Sequence, residues 1–176
     1  MTLEAFADTI VPGAKRDAGD RAIAGASDTG GAVAAGAVEL VSMPATGLAP
    51  LLDYLAEGLN GHARAYAAER ELVLDDEVPP FVALPFEHRT ALVALLTGPG
   101  HPEKEAWVGL ALFSNMAFDS AAHLHTAEAI AAGHPGLAAM GFTAPDADGL
   151  WRFPRYSYGR QLARPHPDTT PSGSPA

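Results

Sequence analysis

Three polar residues at a spacing of four could act together on one face of a helix. Asn115, Asp119 and His123 occupy positions i, i+4 and i+8 of an otherwise apolar stretch, and this spacing aligns side chains along an α-helix. Asp119 can accept a hydrogen bond from His123, which would fix the ring tautomer or favour the imidazolium. Such a pair could serve as a general acid or base. The spacing therefore predicts His123 and Asp119 as candidate catalytic residues, with His88 reaching them from a neighbouring helix.

A structural role is the alternative for the same residues, because a buried Asp–His pair is often a satisfied hydrogen bond within a core. His125 follows two positions later and points to a different helix face, so no metal site is predicted there. The sequence contains no HExxH motif, glycine-rich phosphate loop or nucleophile elbow. Other ionisable residues are expected at helix ends or in solvent, with capping or backbone hydrogen bonds as their role: Asp8, His101 and His134 at ends, and His62 in solvent.

The element that must position these residues runs from Glu103 to Ala132. Its ends are marked by two copies of Gly-His-Pro, in which proline suits the first helical turn and glycine a left-handed cap. The sequence predicts one helix of about 30 residues, or about 45 Å. Between Ala106 and Ala122 only four residues are polar, so this helix is expected to be buried on nearly all sides. Asp119 and the following histidines argue against a membrane span.

Shorter helices are predicted around it, over residues 2–11, 32–41, 51–72 and 81–96, from apolar residues recurring at helical spacing. The last of these is expected to start near Pro85. A glycine-rich segment, residues 13–31, separates the first two, and a connection this long is expected to be functional or held by a partner. The fold class is therefore all-α, a helical bundle around one long buried central helix. Residues 1–140 are predicted to form the helical domain, and residues 141–176 an extended, irregular C-terminal arm.

Composition narrows the classes of function. The chain has 176 residues, of which 48% are hydrophobic, which fits one domain with a substantial core. Its net charge of −10 argues against nucleic acid as a partner. The absence of cysteine excludes disulfides and thiolate sites. The first residues lack a basic start followed by an apolar run, so a cytoplasmic location without membrane insertion is expected.

The predicted arm has a different character. It carries arginines and aromatic rings between 151 and 167 with no acidic residue, whereas 20 of the 21 acidic residues lie in residues 1–150. Arginine and large aromatic residues are enriched in protein interfaces. The arm could wrap the acidic body of its own chain, dock on a partner or bind a phosphate ligand. The residues predicted to contact a partner are Trp151, Arg152, Phe153, Arg155, Tyr156, Tyr158, Arg160 and Arg164.

Several segments resemble the gluconate 2-dehydrogenase subunit 3 family. The opening LEAFADTIVPG and the later GAVAAGAVEL resemble the start of that family, and FVALPFEHRTALVALLTG is similar to its middle segment. The ending WRFPRYSYGR resembles its aromatic, glycine-rich tail. The resemblance covers most of the chain, and residues 3–13 match best.

The resemblance implies a small subunit without flavin or catalytic residues of its own. Its partner would be the large subunit of a flavin-dependent GMC-type oxidoreductase, which carries FAD. Many members begin with a twin-arginine export signal and this chain does not, which implies a cytoplasmic accessory subunit. Two hypotheses result: a noncatalytic subunit that stabilises such an oxidoreductase, and a stand-alone small enzyme of secondary metabolism that uses His123 with Asp119.

Overall fold

The computed structural model describes residues 1–142 and residue 168. Over these residues the chain is helical and contains no β-strand, which confirms the all-α prediction. Two short 3-10 turns, Pro44–Thr46 and Ala49–Leu51, lead into the third helix. The helices are α1 (Thr2–Ile10), α2 (Ala37–Ser42), α3 (Leu52–Glu69), α4 (Pro80–Ala83), α5 (Phe86–Leu96), α6 (Lys104–Ser120), α7 (Thr126–Ala131) and α8 (Pro135–Ala139).

Helix α1 lies at the centre of the bundle and contacts α2, α3, α4, α5 and α6. Its Ala5 and Phe6 are fully buried, because small residues beside a single large ring allow neighbouring helices to approach closely. The Phe6 ring lies 6.2 Å from the ring of Trp107 in α6, centroid to centroid. Complete burial of a phenylalanine side chain stabilises a fold by about 1.5–3 kcal/mol.

The prediction of one helix over residues 103–132 was wrong. Helix α6 ends at Ser120, and Ala121 adopts a left-handed conformation with φ of 49°. The N–H groups of Ala121 and Ala122 both donate to the carbonyl of Met116, the second at 3.3 Å, and they close the C-terminal end of α6. Tertiary packing explains the break, since the backbone of Gly136 in α8 lies directly against the Phe118 carbonyl. The chain must turn back at this point for α8 to pack there.

Helix α6 is also buried on one face only, not on nearly all sides. Trp107, Leu110 and Ala117 face the core, with the three- and four-residue spacing of an amphipathic helix. On the opposite face Leu112 and Met116 are 56% and 41% exposed. Helices α1, α2, α5 and α8 contact α6 and cover its inner face only.

The remaining predicted helices occur in the predicted order, with some differences in their bounds. The segment 32–41 is helical only from Ala37, because Gly36 has φ of 85°. In the segment 81–96, helix α5 begins at Phe86, beside the start expected near Pro85. The short α4 precedes it, and Leu84 and Pro85 between the two are extended. Within residues 1–142, no helix combines the length and apolarity needed to cross a bilayer. The predicted arm lies outside the described residues except for Gly141, Phe142 and Asp168.

Candidate functional site

The predicted row of Asn115, Asp119 and His123 is not assembled. Asp119 lies in the last turn of α6 and is exposed. His123 lies beyond the left-handed Ala121, where the helical spacing no longer applies. The prediction that Asp119 and His123 share one helix face was therefore wrong, because the helix ends between them.

His123 instead packs beside α2. Its ring lies against the backbone of Gly36, where any side chain would collide with it, and 6.5 Å from the ring of His134. Among the described residues its buried Nδ1 has no hydrogen-bond partner. Burial, followed by the nearby His134, lowers the pKa of His123, while Glu39 acts in the opposite direction. These surroundings therefore favour the neutral imidazole over the imidazolium.

His134 is a structural residue, as its predicted role at a helix end implies. Its Nδ1 accepts a 3.2 Å hydrogen bond from the N–H of Leu137 and so caps α8. Its Nε2 lies 3.1 Å from the Ala35 carbonyl, and a carbonyl can only accept, so Nε2 carries the proton. Both ring nitrogens are thus used to connect α8 to the loop before α2.

His88 is paired with α3 rather than with His123. Its Nδ1 lies 3.1 Å from the hydroxyl of Tyr66, and its Nε2 lies 3.9 Å from Glu87. The guanidinium of Arg70 lies over the ring of the same tyrosine, 3.8 Å from its centroid. The contacts of the two rings differ, since His88 meets Tyr66 and His123 meets Gly36 and His134.

The long segment 13–31 is held in place by a buried carboxylate at the end of α1. Asp8 is 1% exposed, and its two oxygens accept hydrogen bonds from the N–H groups of Gly13 at 3.0 Å and Ala24 at 2.8 Å. Gly13 also lies so close to Gly31 that a Cβ atom would sit 2.6 Å from the Gly31 nitrogen. The predicted backbone role of Asp8 is confirmed, and it extends 16 residues along the chain.

A buried arginine holds the same segment from the other side. Arg89 is 5% exposed, and it donates to the carbonyls of Leu84 at 2.9 Å, Ala22 at 2.7 Å, Val82 at 2.6 Å and Arg21 at 3.1 Å. Burial lowers the pKa of its guanidinium, and the negative charge of Asp8 partly offsets this effect.

Asp20 lies within the segment 13–31 and bonds its backbone. Its carboxylate accepts the N–H groups of Ala22 and Ile23 at 3.1 and 3.2 Å and two hydrogen bonds from Arg16 at 2.7 and 3.1 Å. The hydrogen bonds from Arg16 lower the pKa of Asp20 to about 2. We call Asp8, Asp20 and Arg89 the loop anchors, because each bonds the backbone of residues 13–31.

A second polar group lies between α3 and the start of α6. His62 Nε2 is 2.6 Å from Glu103 Oε2, and the rings of His62 and His101 meet edge to face at 5.6 Å between centroids. The hydrogen bond from His62 lowers the pKa of Glu103. We call His62, His101 and Glu103 the histidine cluster.

Clefts adjoin both groups. One of about 200 Å³ is lined by Asp8, Arg16 and Glu39 among others. Another of about 280 Å³ is lined by Tyr54, Glu103 and Trp107 among others, beside the histidine cluster. The arm residues predicted to bind a partner, 151–164, lie outside the described residues.

Comparison with known proteins places the chain in one family. A family model with the description "Family of unknown function (DUF5987)" matches residues 1–176. The chain belongs to this family. Neither the curated proteins nor the solved structures contain a significant match to it.

Sequence reasoning missed two features of this DUF5987 chain. Arg89 carries a detectable signal, since Arg89, Leu92, Val93 and Leu96 share the apolar face of α5 by helical spacing. A charged residue on such a face must find buried partners. The histidine cluster has no comparable signal, because His62 is 41 residues from Glu103. Only the packing of α3 beside the start of α6 brings them together.

Proposed function

We propose that this DUF5987 chain is a noncatalytic accessory subunit that binds and stabilises a flavin-dependent GMC-type oxidoreductase, with FAD in the partner. The observation that carries the proposal is the structural role of two of the segments that resemble the family. The first, residues 3–13, is the central helix and the end that holds Asp8. The second includes the buried Arg89.

Polar residues in both segments bond backbone groups inside the bundle. Asp8 accepts from Gly13 and Ala24, and Arg89 donates to carbonyls of the long segment and the α4 turn. Side chains fully occupied in this way hold the shape of a loop and are not free to act on a substrate. These hydrogen bonds support a structural role for the segments that resemble the family, as expected of an accessory subunit.

The outer face of α6 is the proposed contact with the large subunit. Leu112 and Met116 are one turn apart and both exposed, and exposed apolar residues that adjoin one another are typical of interaction surfaces. Methionine also adapts well to a partner surface. In the proposed complex, the basic aromatic arm adds contacts through its arginines and rings.

The test is co-purification of the full chain with a flavin-dependent GMC-type oxidoreductase from its own host cells. We expect tagged wild-type protein to recover the flavoprotein, and L112D/M116D to recover at least tenfold less. Val73→Asp is the matched control, because Val73 is 97% exposed on a different part of the surface. Failure of the wild type to recover any flavoprotein would overturn the proposal.

The arm is tested separately in the full-length chain. R155A/R160A is expected to weaken recovery of the flavoprotein, whereas Arg64→Ala, which removes an exposed arginine from α3, is expected to leave it unchanged. Equal recovery by both variants would remove the arm from the proposed interface and leave α6 as its only component.

A stand-alone enzyme remains the second candidate, because burial lowers the pKa of His123 and its buried Nδ1 has no partner within the described residues. Such a ring can accept a proton, although it would act without Asp119. In the reconstituted complex of this chain with the oxidoreductase, the rate at which an electron-accepting dye is reduced is measured. A folded His123→Ala variant should give the wild-type rate if the chain is noncatalytic. A large loss of turnover with unchanged complex formation would favour the enzyme.

A further inference from the structure

We propose that the histidine cluster is a binding site for one divalent transition-metal ion, with Zn²⁺ as the preferred occupant. One ligand atom from each of His62, His101 and Glu103 lies within 4.8 Å of the other two. Two imidazoles and one carboxylate form a common protein ligand set for zinc. This inference is independent of any oxidoreductase partner.

The distances between the ligand atoms fit an ion after small side-chain movements. Two ligands of a tetrahedral zinc, each about 2.0–2.1 Å from the ion, are about 3.3 Å apart. The 2.6 Å separation of His62 Nε2 and Glu103 Oε2 is shorter, so the ion would replace this hydrogen bond. The proton that Nε2 donates in it would move to Nδ1 of the same ring. The widest separation, at most 4.8 Å, would close by about 1.5 Å.

Buried residues around the cluster position its ligands. The indole N–H of Trp107 donates to Glu103 Oε2 at 3.2 Å, and the same ring meets His62 edge to face at 5.8 Å. Trp107 is 2% exposed, so it forms a rigid support for two of the three ligands. Outer partners of this kind orient metal ligands and strengthen binding.

His101 requires one rearrangement. Its Nδ1 accepts the N–H of Glu103 at 3.2 Å, which leaves the ring proton on Nε2 in the metal-free chain. Coordination through Nδ1 would replace this long hydrogen bond and leave the proton on Nε2, whereas coordination through Nε2 would move the proton to Nδ1. The cost is small beside the strength of metal–imidazole coordination, so His101 can join the site.

The surroundings favour a cation with open coordination positions. The chain has a net charge of −10, and Glu105 lines the adjoining cleft of about 280 Å³ together with Tyr54 and Trp107. Three protein ligands beside an open cleft leave room for water or a small anion at the fourth position. The site therefore suits an exchangeable or reactive ion better than a closed structural one.

The experiment titrates Zn²⁺ into the full chain after chelator treatment and removal of any affinity tag. Calorimetry and elemental analysis should find one ion per chain. His62→Ala, His101→Ala and Glu103→Gln should each weaken binding at least tenfold. Co²⁺ should give visible absorption bands of a four- or five-coordinate site in the wild type but not in Glu103→Gln.

Two matched controls remove other histidines. His125→Ala, at an exposed position before α7, and His166→Ala, in the C-terminal region, should bind Zn²⁺ as the wild type does. The proposal is overturned if the wild type binds less than one ion, or if H62A/H101A binds as tightly as the wild type. Circular dichroism confirms the fold of each variant, and Glu103→Gln preserves the shape of the side chain if an alanine variant unfolds.

Discussion

The loop anchors and the histidine cluster are two groups of three ionisable residues whose surroundings differ. Each loop anchor is at most 7% exposed, and each bonds backbone groups. In the histidine cluster the side chains of His62 and Glu103 are 32% and 45% exposed and bond each other. Backbone partners cannot leave without unfolding a segment, whereas a bond between two surface side chains can be exchanged for a proton or an ion.

We therefore expect the loop anchors to stabilise the fold and the histidine cluster to exchange ligands. Removal of a partner from a buried charge costs several kcal/mol, because the remaining groups lose both hydrogen bonds and water. An exposed ion pair contributes only about 0–1 kcal/mol. Substitutions of the loop anchors should therefore lower the free energy of unfolding by more than substitutions in the histidine cluster.

The largest effect is expected from Arg89→Met, which keeps much of the volume but leaves four carbonyls without their donor. We expect a loss of about 3–5 kcal/mol in the free energy of unfolding, measured by urea denaturation. Arg64→Met, at an exposed position of α3, should change it by less than about 0.5 kcal/mol. A loss below about 1 kcal/mol for Arg89→Met would contradict the structural role.

Asp8→Ala should follow, because it leaves the N–H groups of Gly13 and Ala24 without an acceptor. The expected loss is about 2–3 kcal/mol. Hydrogen exchange should show faster exchange at these two amides than elsewhere in the bundle. Asp28 is an exposed residue of the same segment. In Asp28→Ala, both amides should therefore exchange as slowly as in the wild type. Unchanged protection in Asp8→Ala would show that the segment is held by other contacts.

Asp20 should make stability depend on acid. Its pKa falls from an ordinary 3.8 to about 2 in the folded chain, so its contribution is complete above pH 4 and is lost as pH falls toward 2. Because Arg16 is half exposed, we expect about 1–2 kcal/mol. The difference between wild type and Asp20→Asn, measured by denaturation from pH 5 to pH 2, should shrink over this range. If the difference between the two proteins stays constant over this range, ionisation of Asp20 does not contribute to stability.

Much of the fold could be predicted from residue spacing. The apolar positions of α1, α3 and α5 are visible in the sequence, and so is the all-α class. The end of α6 could not be predicted, because Ala121 is a good helix former that adopts a left-handed conformation when fully buried. That conformation depends on the contact between Gly136 and Phe118, which no local pattern contains.

The same limit applies to the sites. Asp8 was assigned its backbone role correctly because that role is local in part. Asp119 and His123 were paired on the assumption of a continuous helix, and the assumption failed at one residue. The histidine cluster depends on the packing of two helices, so spacing alone could not have found it.

The smallest effect is expected from Glu103→Gln, and it completes the comparison. The substitution removes the ion pair with His62 but preserves an oxygen that can accept the indole N–H of Trp107. We expect the free energy of unfolding to change by less than about 1 kcal/mol when urea denaturation is carried out without metal. Addition of Zn²⁺ should then raise the Tm of the wild type more than that of the variant, since an ion stabilises only the state that binds it. A large loss of stability without metal would instead make Glu103 a structural residue like the loop anchors, and the distinction between the two groups would fail.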